Sequence, residues 1–157
     1  MRSNRNYDLR CGDELLLEGK TEWAVIDTSD NCLVPISEVY PEWLQYSRAP
    51  AFSGQFGRIP DRFDGAEIVE EYRIRSTDID IGRHMNNAAY LRAVFGALSG
   101  REVQERNIRS VEAVFRKSAY EGEILMLQRQ ERDNSLDLRY SRAGETVFLA
   151  RINCQQV

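Results

Sequence analysis

Residues 88–98, AAYLRAVFGAL, form a helical pattern in which Tyr90, Leu91, Val94, Phe95 and Leu98 are apolar and Arg92 carries the only charge. A helix apolar on most of its circumference must be enclosed by the rest of the fold. Four alternating segments follow it: NIRSVEAVFRK, EILMLQRQE, SLDLRYS and TVFLARINC. The second and third are joined at Asp133-Asn134 and the last two at Ala143-Gly144, which are turn pairs. The pattern predicts an α+β arrangement, an antiparallel sheet wrapped around one long buried helix. With 157 residues at 42% hydrophobic, the chain holds material for one good core and not two.

All four prolines, Pro35, Pro41, Pro50 and Pro60, fall in one stretch with Gly54, Gly57 and Gly65, so residues 37–65 read as a linker. Within it SEVYPEWLQY can form a short helix, with Ser37 as cap and Trp43 and Leu44 facing a core. Residues 1–36 read as an antiparallel meander: YDLRC, a turn at Gly12-Asp13, the long strand LLLEGKTEWAVI, then a TSDN turn into CLVPI. Residues 66–157 hold the helix, its four strands and a preceding strand, AEIVEEYRIR, with Ile68, Tyr72 and Ile74 on one side. The run Asp8-Leu9-Arg10 echoes Asp137-Leu138-Arg139, each before a glycine turn and a long apolar strand.

The only histidine, His84, lies in STDIDIGRHMNNAAYLRAV, behind Asp78 and Asp80 and ahead of Asn86 and Asn87. A carboxylate, an imidazole and helix-start amides at one junction supply a proton acceptor, a proton carrier and hydrogen-bond donors, as acyl transfer requires. From spacing alone, a hydrogen-bonded loop histidine that fixes a turn is the favoured reading. Asp78 reads as a turn or cap residue, and either asparagine as the cap of the helix.

A net charge of −4 and a pI near 5.2 argue against nucleic acid or an anionic membrane as the main partner. Cys11, Cys32 and Cys154 are odd in number and far apart, and MRSNRNYDLR lacks the apolar core of a secretory leader, so a reducing cytoplasm is expected. No apolar run approaches a membrane span, and one histidine without clustered cysteines gives no recognisable metal site; no cofactor is expected.

The run DIDIGRHMNNAAYL resembles the D-x-D-x-N-x-H-V-N-N-x-x-Y segment of the acyl-acyl carrier protein thioesterases, which are built from two tandem hotdog domains. TEWAVIDTSDNCLVPI is similar to the end of that family's first hotdog. The resemblance implies a hotdog fold: a complete second domain over 66–157 and a partial N-terminal hotdog meander over 1–36. It also implies that the chain begins partway through domain one. Asp80 and His84 match the family's active-site aspartate and histidine. Gly82 stands where the family has an asparagine thought to hold the thioester carbonyl, and Ser118 and Ala119 stand in place of an acidic residue and a cysteine.

The implied activity is hydrolysis of fatty acyl thioesters of acyl carrier protein to free fatty acid and carrier thiol. Asp80 and His84 would be catalytic, with Asp80 alone as base an alternative. Asn86 and Asn87 would supply helix-start amides, and Tyr90, Val94 and Phe95 would line the acyl pocket. Ser118 as a substitute nucleophile is the weaker reading. An acidic carrier would meet a basic patch drawn from Arg73, Arg75, Arg116 and Lys117. Two alternatives stay open: a noncatalytic acyl-binding hotdog module, and a simpler thioesterase acting on coenzyme A thioesters. An uncovered sheet edge implies a homo-oligomer.

Overall fold

The computed structural model describes residues 2–30, 32–41 and 56–155. The chain divides into two units, Met1–Gln55 and Phe56–Val157, and the division falls inside the proline- and glycine-rich stretch.

In the first unit β1 (Arg2–Cys11) pairs antiparallel with β2 (Glu14–Ile26), and β2 with the short β3 (Leu33–Val34). Gly12, at φ 60°, makes the tight reversal between β1 and β2. A single helical turn, α1 (Ile36–Val39), follows β3. It is shorter than the SEVYPEWLQY pattern suggests. Pro35 occupies its cap position without a side-chain bond, Ser37 lies inside it, and Tyr40 leaves helical geometry just before Pro41, as a residue preceding proline must. Trp43 and Leu44 lie outside the described residues.

The second unit is a five-stranded antiparallel sheet in the order β4-β6-β7-β8-β5. Its strands are β4 (Glu67–Arg73), β5 (Ile108–Phe115), β6 (Ile124–Arg132), β7 (Ser135–Arg142) and β8 (Glu145–Cys154). The expected turns at Asp133-Asn134 and Ala143-Gly144 join β6 to β7 and β7 to β8, with Ala143 and Gly144 both at positive φ. The helix α2 (Asn87–Gly96) packs on one face. Its Ala89, Tyr90, Ala93 and Val94 join Leu125, Leu127, Leu136, Leu138, Tyr140, Phe148, Ala150 and Ile152 in one core. Successive strand residues alternate faces, so Leu136, Leu138 and Tyr140 meet the helix while Asp137 and Arg139 project from the other side.

That other face is also covered. Ile59 and Phe63, within the stretch read as a linker, pack on Leu149 with Ala66 and Val114, and the Arg139 guanidinium lies 5.3 Å from the Phe63 ring centre. Asp137 is wholly buried there and accepts two bonds from Arg151, at 2.6 and 2.8 Å, and one from Arg132 at 3.2 Å.

Two local features depart from the sequence pattern. A register shift between Ile68 and Glu70 turns Ile68 outward, 56% exposed, while Tyr72 and Ile74 pack on the core. A second helix, α3 (Gly100–Glu105), follows α2. Its signal is a capping box: the Ser99 side chain accepts from Glu102 N–H, and the Glu102 carboxylate from Ser99 N–H.

Candidate active site

The segment between β4 and α2 is held from several directions. Tyr72 Oη–H and Arg75 N–H both donate to Asp78 Oδ2 at 2.9 Å, and Asn86 N–H donates to the Asp78 carbonyl at 2.8 Å. Asp78 is therefore the turn residue the sequence suggests. Burial, reinforced by the bond to Asp78, pushes the Tyr72 hydroxyl up to about 12, so it remains the donor of this pair. Residues 79–85 fold back on themselves: Ile79 bridges Met85, Asp80 N–H donates to the His84 carbonyl, and Arg83 N–H donates to the Asp80 carbonyl. Arg83 sits at φ 60°, a left-handed conformation that costs a non-glycine residue energy and is maintained here by the surrounding bonds. Met85 N–H reaches the Ala119 carbonyl at 2.7 Å, tying this loop to the segment after β5.

The loop brings Asp80 and His84 together. His84 Nδ1 lies 3.6 Å from Asp80 Oδ1, with the imidazole side chain 43% exposed and the carboxylate 26%. Gly82 N–H donates to the same Asp80 oxygen at 2.8 Å and fixes the carboxylate. Gly82 also has a steric role: a Cβ built there would stand 2.8 Å from His84 Nε2 and 3.0 Å from Asp80 Oδ1. The imidazole thus occupies space that any other residue at position 82 would fill.

At the head of α2, Asn86 is the cap and its Oδ1 accepts from Ala88 N–H at 2.8 Å. With Asn86 N–H bonded to Asp78, the helix-start amide left without a partner among the described residues is that of Asn87. It lies at the positive end of the helix dipole.

His84 opens on a cleft of about 180 Å³ lined also by Met85, Asn87, Tyr90, Phe115, Arg116, Lys117 and Ser118. The expected residues His84, Asn87 and Tyr90 meet there; Asp80 stands behind the imidazole and Asn86 serves as cap. Val94 is wholly buried in the core and Phe95 packs against it, so neither forms the cleft wall. Met85 and Phe115 do form it, although no local pattern marks them as site residues. No hydrogen bond joins Ser118 to His84 among the described residues, but Ser118 faces the same cleft. Of the four basic residues singled out, Arg116 and Lys117 line the cleft, and Arg73 and Arg75 do not. Lys117 lies 3.4 Å from Glu145. Among the described residues no cluster of metal-ligating side chains occurs, and no helix is long and apolar enough to cross a membrane.

Solved structures share this fold. The chain is similar to an acyl-ACP thioesterase from Bacteroides thetaiotaomicron, at 18% identity and a TM-score of 0.84 over 98% of this chain and 63% of that one. It is also similar to the 12:0-ACP thioesterase from Umbellularia californica, at 17% identity and a TM-score of 0.80 over 98% of this chain and 62% of that one. The chain therefore spans less than two thirds of the length of either. At such identity the likeness defines the fold, the helix-wrapped antiparallel sheet of the hotdog thioesterases. The family model for the acyl-ACP thioesterase C-terminal domain matches residues 63–155, more than half of the chain, and the chain belongs to that family. No curated protein sequence matches it.

Proposed function

We propose that this chain hydrolyses fatty acyl thioesters of acyl carrier protein, with Asp80 and His84 as the catalytic pair. The observation that carries this reading is the placement of an Asp80-backed imidazole at a cleft bordered by the head of α2. In the reaction His84 takes a proton from water and Asp80 stabilises the imidazolium. The hydroxide adds to the thioester carbonyl carbon, and the Asn87 amide stabilises the oxyanion. The carbon–sulfur bond then breaks, and the proton held by His84 passes to the departing sulfur, leaving a free thiol and a carboxylic acid, which ionises by releasing its remaining proton to solvent.

The test is release of free thiol from long-chain acyl-carrier-protein and acyl-CoA thioesters. His84→Ala is expected to lower kcat by roughly 10²–10⁴-fold, the usual range for losing a positioned acid–base group. Asp80→Asn should follow it. Unchanged rates in both variants would sink the assignment.

Arg116 and Lys117 at the cleft suit an acidic carrier. Changing both to Glu should raise KM for carrier-protein substrates and spare small acyl thioesters; equal effects on both substrate types would end the docking idea.

A second reading, a noncatalytic acyl-binding module, is favoured by one feature: none of the described residues lining the cleft carries a carboxylate. Tight acyl binding without turnover would establish it. A preference for coenzyme A over carrier protein would instead point to the simpler acyl-CoA type.

A further inference from the structure

A thioester carbonyl needs hydrogen-bond donors where its oxygen becomes negative. Most donors near His84 are already engaged: Gly82 N–H by Asp80, Asn86 N–H by the Asp78 carbonyl, and Ala88 N–H by the Asn86 side chain. Tyr90 is the exception among side chains buried beside the cleft. It lines the cleft with His84 and is only 3% exposed, and its hydroxyl has no hydrogen-bond partner among the described residues.

A buried hydroxyl left unpaired is uncommon in native proteins, and one beside a cleft is available to a water or a ligand group as its partner. The ring is fixed in place. It stacks on Phe148 at a centroid distance of 4.9 Å and meets Phe115 edge-on at 5.8 Å, so the hydroxyl is positioned before any ligand arrives. Tyr90 also follows Asn87 by three residues, placing both on one side of α2.

We propose that the Tyr90 hydroxyl is the side-chain donor to the carbonyl oxygen of an acyl thioester bound in the His84 cleft, an inference that rests on the acyl-thioester reading above. Burial supports the role by pushing the phenol up to about 12, so it keeps its proton at ordinary pH. The charged groups that act on it, Arg142 and Glu123, are paired with each other at 2.6 Å.

The experiment compares wild type with Tyr90→Phe, which keeps both ring contacts and removes only the hydroxyl. Two nonhydrolysable coenzyme A analogues are titrated by calorimetry: a ketone that keeps the carbonyl and replaces sulfur with methylene, and a thioether that lacks the carbonyl. Wild type should bind the ketone about tenfold more tightly than the thioether, and Tyr90→Phe should reduce that preference to about twofold or less, the scale of one lost donor. In thiol-release assays kcat should fall roughly 10–100-fold with KM little changed, and the melting temperature should hold or rise.

An unchanged ketone preference in Tyr90→Phe, or no preference in wild type, overturns the proposal. A lower melting temperature also overturns it, because the hydroxyl would then have a partner within the fold. Thiol release that survives in Tyr90→Phe removes the donor role and leaves hydrolysis standing. A Tyr90-dependent ketone preference without turnover supports the donor role and refutes the hydrolase reading.

Discussion

At the scale of single residues, position 82 controls the site through the side chain it lacks. A Cβ there would meet His84 Nε2 at 2.8 Å, which a real contact does not tolerate, so Gly82→Ala must move the imidazole. The imidazole is partly exposed and free to swing outward, so the stability change should stay within about 0.5 kcal/mol. Turnover should nevertheless fall at least about tenfold, because small displacements of a catalytic group are costly. A melting curve and a thiol-release assay on the same preparation separate the two effects. A variant as active as wild type would show that the observed imidazole position is not the working one. The closeness of Asp80 and His84 was legible in the sequence, since a four-residue turn brings its ends together. The role of Gly82 was not, because it depends on which way the imidazole leans. Gly82 stands where the family has an asparagine thought to hold the thioester carbonyl, and its own amide is already bound to Asp80.

At the scale of elements, α3 depends on its capping box. Removing the cap with Ser99→Ala should cost about 1 kcal/mol, read from urea melts. The same element carries a pH signature. The Glu102 carboxyl is held down to about 2, first by accepting the Ser99 backbone N–H and then by the Arg129 guanidinium. Its folded pKa lies below its ordinary value of 4.5, so its stabilising contribution is complete above about pH 4.5 and is lost as pH falls toward 2. Glu102→Gln should flatten that part of the stability profile in melts at pH 7, 4 and 2.5; an identical acid loss in the variant would assign it to other carboxylates. The S-x-x-E spacing at Ser99 is a local signal in the sequence for this helix start, set beside the longer apolar pattern of α2. The outward turn of Ile68 has a different cause. Strict alternation places residues 68 and 72 on one side, and the register shift, fixed by pairing with β6, reverses that.

At the scale of the whole molecule, every fully buried side chain among the described residues belongs to the second unit. The first unit exposes Leu9, Leu15, Leu16 and Leu17, and a three-stranded sheet without a buried face gains little from folding by itself. Residues 56–157 expressed alone should therefore unfold in a single cooperative transition, and residues 1–55 alone should show none. Circular dichroism melts of the two fragments test this, and loss of cooperativity in 56–157 would show that the larger core depends on the smaller unit.

The sequence by itself determined the elements and most of their order. An apolar helix pattern, alternating strands, turn pairs and a carboxylate four residues before an imidazole are all local signals, readable within a few residues of one another. Tertiary structure decided what faces what. The sheet order β4-β6-β7-β8-β5 puts Phe115 through Ser118 across from His84, seats Ile59 and Phe63 on the outer face, and leaves Val94 in the core while Tyr90 reaches the cleft. Those contacts join residues about 30 to 90 positions apart, where pairing register and packing decide the partners and no local periodicity specifies them.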